Sequence, residues 1–309
     1  MGPDTSKAPI VIWQFVDGKP GHENQTLGLI GALGRLHNID VHVLPLDGAS
    51  RISNALAWLF GRFTGGRHAP DPDLIVGAGA ATHLPMLAAK RARGGRTIVL
   101  MKPSLPLSCF DLCLIPEHDE SPARANVINT RGVLNRLHVD GQPHGKGGLI
   151  LLGGPSSHYH WSDERLLEQL DALATDPQVH DWTIATSRRT PIETIPKLSQ
   201  LQGERVSIVS PDSVDSEWLP TALTRCSRAW VTEDSVSMIY EALTAGAPTG
   251  ILEVPSTGSS RVQRGVQTLV DDAWVTTFSK WRESRSLAPA PDAFNEAYRT
   301  ADLITQRWL

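Results

Sequence analysis

The chain has 309 residues, 40% hydrophobic and 20% charged, which favours two domains of roughly 150 residues each with a substantial interior. Its 29 basic and 33 acidic residues give a formal charge of -4, so there is no basic surplus to attract nucleic acid, and no apolar run reaches the about 18 residues of a membrane-crossing helix. Cys109, Cys113 and Cys226 form no CxxC pair, which argues against a disulfide framework and for a reducing cytoplasm; Met1–Ala8 lacks the features of a signal peptide or a transit sequence.

The first half repeats a strand-then-helix punctuation. Ile10–Val16 reads as a buried strand, Asp17–Gln25 as a polar turn, and Leu27, Leu29, Ile30, Leu33 and Leu36 recur at helical spacing. Strands are predicted at Asp40–Leu46, Asp73–Ala78, Thr97–Met101, Cys109–Pro116 and Val127–Thr130, and Asn135–Gly148 reads as a linker. A second series restarts at strand Leu149–Leu152. It continues through helix Ser162–Ala174, strand Asp181–Thr186, helix Ile192–Leu201, strand Val206–Val209, helix Glu217–Cys226, strand Ala229–Val231, helix Ser235–Ala245 and strand Thr249–Leu252. A Gly/Ser loop, helix Val262–Asp271, a Trp/Phe-containing turn and a terminal helix near Asp292–Trp308 complete the chain. The expected fold is α/β, with two Rossmann-like domains facing a central cleft: 9–140, 147–291, and a helix over 292–309 returning to the first.

One segment breaks the pattern. Ile52, Leu56, Leu59, Phe60 and Phe63 form an apolar helical face with Trp58 beside it and Arg51, Arg62, Arg67 and His68 around it. Most such stripes are core, so a helix packed on its own sheet is the plain reading. Aromatic and basic flanks also suit a peripheral membrane contact through 51–68, on the inner face of the plasma membrane.

Ligands in α/β sheets gather at the carboxyl ends of strands, so those turns hold the candidate site. In the first, Asp17 ends a strand and His22 stands at the helix entrance; either could serve as a general base, and Asp17 could instead only cap the helix. Gly18 and Gly21 permit close approach, Lys19 is cationic, and Glu23, Asn24 and Gln25 supply polar groups in the first helical turn. Gly79 and Lys102 end two further strands and would line the same acceptor side.

The second half has three comparable strand ends: Gly153-Gly154-Pro155-Ser156-Ser157, Thr186-Ser187-Arg188-Arg189-Thr190 and Thr232-Glu233-Asp234-Ser235. Glycine and serine let backbone donors approach a pyrophosphate, two arginines neutralise it, and Glu233 could accept from sugar hydroxyls. Asp234 reads equally as the N-cap of the following helix. No metal site is expected: His158 and His160 read as the flank of the Gly-Gly-Pro-Ser loop, and Asp71-Pro-Asp73 precedes its strand rather than following it. The NAD fingerprint lacks its third glycine, and nucleophile-elbow, P-loop and HExxH motifs are missing. Cys113 reads as a buried thiol.

The segments Asp17–Gln25, Gly153-Gly-Pro-Ser, Thr186-Ser-Arg-Arg-Thr-Pro and Thr232-Glu-Asp-Ser-Val-Ser-Met resemble the bacterial members of the mitochondrial fission (elongated mitochondria) protein family. The wider architecture resembles the GT-B glycosyltransferases, and that resemblance implies a nucleotide-sugar donor in the C-terminal domain and the acceptor and base in the N-terminal one. Carried over, Asp17–Gln25 corresponds to the glycine-rich acceptor and base loop of such enzymes, particularly the lipid-linked GlcNAc transferase of peptidoglycan synthesis, although the glycine pattern differs. Glu241 is then better placed than Glu233 to grip the ribose. The expected function is a metal-independent transfer of sugar to an envelope glycan or lipid-linked acceptor, with the nucleotide-sugar as co-substrate and no other cofactor. A nucleotide-sugar epimerase of the same fold and a non-catalytic membrane-associated interaction protein are the alternatives.

Overall fold

The structure is a computed structural model, and it describes residues 8–46, 51–138, 145–258, 260–289 and 294–309. In chain order the elements are β1 (Ile10–Val16), α1 (Pro20–Leu36), β2 (Ile39–Pro45), α2 (Arg51–Phe60), β3 (Leu74–Ala78), α3 (His83–Arg93), β4 (Arg96–Leu100), β5 (Leu112–Pro116) and β6 (Val127–Thr130). There follow β7 (Gly148–Leu151), α4 (Asp163–Ala174), β8 (Trp182–Ala185), α5 (Ile195–Leu198), β9 (Val206–Val209), α6 (Trp218–Arg225), β10 (Arg228–Thr232), α7 (Val236–Thr244), β11 (Thr249–Leu252), α8 (Arg261–Asp271), β12 (Thr276–Thr277), α9 (Phe278–Ser284) and α10 (Glu296–Trp308). They divide into two compact units, Met1–Arg136 with Asn295–Leu309, and Leu137–Phe294.

The first unit holds a six-stranded sheet in the order β2-β1-β3-β4-β5-β6, every neighbour parallel. Alternate residues of its central strands serve opposite cores, as a pleat covered on both faces requires. Ile12, Leu74, Val76, Ile98 and Leu112 pack with Leu29 and Leu33 of α1 and Ala301 and Ile304 of α10. Trp13, Ile75, Val99 and Cys113 pack with Met86 and Leu87 of α3. Glu296, nearly buried at the start of α10, pairs with Arg299 at 2.6 Å and accepts from the Arg131 amide at 3.0 Å, which ties this last helix into the first unit.

The second unit holds another all-parallel six-stranded sheet, β12-β11-β10-β7-β8-β9. Trp182, Trp230 and Trp281 are fully buried in its core, with Trp230 edge-on to Trp281 at 5.4 Å between ring centroids. Burial pushes the Cys113 and Cys226 thiols up to about 12, so both are inert apolar filler.

Local departures from the sequence reading have local causes. α1 begins at Pro20, whose fixed φ suits the first helical position, so most of the predicted turn is already helix. α5, Ile195–Leu198 against the predicted Ile192–Leu201, starts late because Pro196 has no amide to return to the Ile192 carbonyl and so falls in the first turn. The turn expected after α8 contains β12 and α9, anchored by buried Phe278 and Trp281. Residues 292–293 of the predicted terminal helix, and 139–144 of the predicted linker, lie outside the described residues.

The reading of α2 as a helix with its apolar face against the sheet is corrected. Leu56, Trp58, Leu59 and Phe60 are exposed, and Phe63, beyond the helix end, turns inward, against Trp13 and Phe15 at 5.8 and 5.7 Å between ring centroids; the Ile52 side chain lies outside the described residues.

Candidate active site

Each sheet reverses its winding once, and the crevice at such a switch point is where open α/β sheets bind ligands. In the first unit the reversal falls between β1 and β3, so the turns that meet there are Asp17–Lys19 and Gly79–Thr82. In the second it falls between β7 and β10, where Gly153-Gly154 faces Thr232–Ser235. Both pairs of turns were flagged as strand ends from sequence; their adjacency follows only from strand order.

At the first switch point Asp17 and His22 form a pair. His22 Nδ1 lies 2.9 and 3.1 Å from the two carboxylate oxygens of Asp17. The carboxylate is 4% exposed and the imidazole 20%. A carboxylate accepts and does not donate, so Nδ1 carries the hydrogen and Nε2 is left as the basic nitrogen. Asp17 also accepts from the Lys19 amide at 3.3 Å, while the exposed Lys19 Nζ stands 4.0 Å away. Gly18 takes φ +76, which lets the chain turn from strand to helix within three residues. Gly79, at φ +86, is required by contact as well: a Cβ there would lie 2.3 Å from His22 Cε1 and 3.1 Å from Asp17 Oδ2.

The neighbouring polar groups hold this arrangement in place. Thr82 Oγ1 donates to the Gly79 carbonyl at 2.8 Å. Buried Gln14 donates to Thr26 Oγ1 at 2.8 Å, and Thr26 donates to the Glu23 carbonyl at 3.0 Å, securing the first turns of α1 to β1. Gln25 turns back to the Gly21 carbonyl at 3.4 Å, Glu23 and Asn24 are half-buried, and Gly21 is exposed. Lys102 points elsewhere, donating to the Asp119 and Glu120 carbonyls at 2.9 Å each. His83, at the start of α3, is pushed down to about 4 by burial, so it is a neutral packing group bonded to Ser104 at 3.2 Å.

The second switch point is closed by its own hydrogen bonds. The Gly153 amide donates to Thr232 Oγ1 at 2.8 Å and the Gly154 amide to Asp234 Oδ2 at 3.0 Å. These amides were expected to face a phosphate; they build the loop instead. Asp234, with a side chain 0% exposed, also pairs with Arg189 at 2.8 Å and accepts from Ser235 Oγ at 3.2 Å. Its other oxygen, Oδ1, has no hydrogen-bond partner among the described residues. Ser235, not Asp234, occupies the cap position of α7, so Asp234 serves the loop rather than the helix end.

Arg189 bridges further, to the Gly154 carbonyl at 3.2 Å and Ser235 Oγ at 2.9 Å. Ser187 Oγ and Thr190 Oγ1 both donate to the Gly153 carbonyl, at 3.0 and 2.6 Å, and Thr186 Oγ1 reaches the Val209 carbonyl at 3.3 Å. Only glycine fits at 153 and 154: a Cβ at Gly153 would meet Ser235 Oγ at 2.0 Å, and one at Gly154 the Arg189 carbonyl at 1.9 Å. Arg188, in contrast, is exposed and makes no ion pair among the described residues, and the Ser156 and Ser157 side chains are exposed.

Glu233 is held apart from this cluster. Its carboxyl accepts from the Tyr159 hydroxyl at 3.3 Å, and burial raises its affinity for a proton above the usual range, with Glu253 and Asp234 adding to the shift. Burial and Glu233 in turn push the Tyr159 hydroxyl up. Tyr159 was missed from sequence; the only signal was an aromatic between two histidines after the Gly-Gly-Pro-Ser turn. Glu241 sits half-buried within α7. Asp73 Oδ2 accepts from the Val11 amide at 2.8 Å and Asp71 pairs with Arg93, both before β3. Among the described residues no group of three His, Cys, Asp or Glu side chains is placed to hold a metal.

Two parallel sheets of this connectivity, each with a loop-lined switch point, define a GT-B fold, which is shared with glycosyltransferases and UDP-N-acetylglucosamine epimerases. The MurG structure of Acinetobacter baumannii matches at TM-score 0.53 and 13% identity over 96% of this chain and all of that one, 100%. A structure from Listeria monocytogenes described as a UDP-N-acetylglucosamine 2-epimerase matches at TM-score 0.53 and 13% identity over 97% of each chain. A co-structure of MnaA with UDP from S. aureus matches at TM-score 0.51 and 12% identity, over 97% and 98%. The chain belongs to the mitochondrial fission ELM1 family, whose model it matches over residues 20–308. It is also 22% identical to the uncharacterized protein RP120 of Rickettsia prowazekii, over 95% of this chain and 97% of that one.

Proposed function

We propose that this protein is a metal-independent glycosyltransferase that moves a sugar from a nucleotide-sugar to a hydroxyl of a cell-envelope glycan or lipid-linked acceptor. The observation that carries the reading is the Asp17–His22 pair at the first switch point, with Nδ1 engaged and Nε2 left to take a proton. His22 is the general base and Asp17 its positioning residue: the carboxylate fixes the ring and its tautomer and stabilises the imidazolium once the proton has moved. The acceptor oxygen bonds to the anomeric carbon as the bond from that carbon to the donor phosphate breaks, and the electron pair leaves on the nucleoside diphosphate. Arg188, exposed and without an ion pair among the described residues, is the cation proposed for that charge, and the amino end of α7 and the exposed hydroxyls of Ser156 and Ser157 are the further donors proposed. Arg189, Asp234 and the two glycine amides keep this loop in shape. Glu233 or Glu241 serves the donor's sugar hydroxyls.

The metal-independent part of the reading is supported by the acidic Asp71-Pro-Asp73 sequence, whose carboxylates are engaged by Arg93 and the Val11 amide at the amino end of β3, away from the switch point. The nucleotide part is supported by the UDP co-structure among the fold neighbours.

Thermal-shift screening against UDP-, GDP-, ADP- and CMP-sugars tests the donor, because a ligand that binds only the folded state raises the melting temperature with its affinity. Selective stabilisation by one nucleotide series is expected, together with slow donor hydrolysis that Arg188→Ala and His22→Ala abolish. Donor isomerisation with no acceptor present would favour an epimerase, and no shift with any nucleotide would remove the enzyme reading.

A further inference from the structure

The outward face of α2 lies far from either switch-point loop in sequence and plays no part in the proposed chemistry. Leu56, Trp58, Leu59 and Phe60 are 48, 38, 61 and 65% exposed, and they crowd the last turn and a half of one helix. α2 packs against α3 and stops at Gly61, which takes φ +63. The Gly61 amide returns to the Trp58 carbonyl at 3.2 Å and the Arg62 amide to the Ala57 carbonyl at 2.8 Å. This cap sends the chain back alongside the helix and puts Arg62 next to Phe60. The Arg91 side chain of α3 lies against Gly61, its Cγ 3.6 Å from where a Cβ would stand, so a second guanidinium is brought to the same helix end.

The charges around the patch are of one sign. Residues 51–69 contain three arginines and no Asp or Glu, and residues 80–96 contain Lys90, Arg91, Arg93 and Arg96 and again no acid, in a chain whose net charge is -4. Lys90 is spent on Asp111 and Arg93 on Asp71. Arg62, Arg67 and Arg91 are exposed and have no ion pair among the described residues. Exposed Trp, Phe and Leu at the tip of a helix, with Arg62 and Arg91 brought to the same helix end on a chain of net negative charge, match the layered chemistry of an anionic bilayer surface: acyl chains for the rings, headgroup phosphates for the guanidiniums. Among the described residues no helix is long and apolar enough to cross a membrane, so such a contact lies in the interface.

The geometry points to a peripheral membrane-docking surface formed by the carboxyl end of α2 with Arg62 and Arg91, and the occupant is a bilayer carrying anionic phospholipid. It acts independently of nucleotide and of turnover, so it stands or falls separately from the glycosyltransferase reading.

Co-sedimentation of the full chain with phosphatidylcholine vesicles, with and without phosphatidylglycerol, tests it. The wild type binds the phosphatidylglycerol vesicles severalfold better and releases on adding salt. Leu59→Glu with Phe60→Glu lowers the bound fraction at least tenfold, and each of Arg62→Gln and Arg91→Gln lowers partitioning about fivefold. All these side chains are exposed, so melting temperatures stay near wild type, and a variant that melts early is replaced by Phe60→Ser alone, which still weakens binding. Equal binding to both vesicle types, undiminished binding by the Glu variant, or no vesicle binding by the wild type overturns the proposal. So does a concentration-dependent dimer that the Glu variant dissolves without any vesicle binding, since a second copy would then cover this face.

Discussion

The two switch points use one topological device in opposite ways. In the first unit a carboxylate–imidazole pair occupies the crevice, bonded through Nδ1 of the ring, with Gly79 leaving room for that ring. In the second, both glycine amides, Thr232, Asp234 and Arg189 satisfy one another before any ligand arrives. On the proposed function, a base would need an unspent lone pair, whereas a loop that holds a fixed shape beside a charged donor would gain from having most of its polar groups bonded within itself. The first crevice thus commits one carboxylate and one ring nitrogen to each other, and the second draws two backbone amides and three side chains into its own loop.

That contrast is broken most directly in the first unit. His22→Ala should lower turnover by about 100- to 10,000-fold with little change in melting temperature, the range of a lost general base. Asp17→Asn should lower kcat more than KM and shift the acidic limb of the pH–rate profile, the result that separates a positioning residue from a merely structural one. Gly79→Ala should reproduce much of the His22→Ala defect, because its methyl would displace the ring and because φ +86 is strained for alanine.

The two units should also respond to pH with opposite sign. His83, beside the first crevice, has its folded value lowered to about 4, below the ordinary 6.5 of the unfolded chain. The unfolded state then binds the extra proton first, so stability is lost as pH falls from about 6.5 to about 4, by on the order of 3 kcal/mol, and is level below that. Urea titrations across this window should show the loss in wild type and a reduced loss in His83→Gln.

In the second unit, Asp234→Ala should cost about 2 kcal/mol, since it strands the Gly154 amide and frees Arg189, whose own exposure limits the loss. It should weaken nucleotide binding along with stability. Glu233 has its folded value raised, so its contribution is present below the unfolded value and lost as pH rises through the folded one. Glu233→Gln keeps an acceptor for Tyr159 and should raise the melting temperature slightly at neutral pH, with no gain at acid pH.

Much of the fold is legible in the chain. Apolar runs such as Leu74–Ala78 and Leu112–Pro116, punctuated by Gly and polar turns, mark strands buried on both faces, and that is enough for two parallel sheets. Asp17 and His22 are legible as one polar turn because they lie only 5 positions apart. The closure of the second crevice is not, because Gly153 meets a threonine 79 positions away and Gly154 an aspartate 80 away, and a glycine amide gives no sign in sequence of where it will donate. The outward turn of α2 is hidden for a different reason. Helical periodicity identifies which side chains share a face, and what that face meets is decided by α3 and by the cap at Gly61.

In the proposed function His22 supplies the base and the second unit's loops supply the donor site, so the two roles should separate on substitution. Parallel measurement of sugar-donor turnover and nucleotide-induced thermal shift in wild type and His22→Ala tests both halves at once. The expected result is an unchanged shift with turnover reduced at least 100-fold. Wild-type turnover in His22→Ala, or loss of the nucleotide shift with the base, would contradict it.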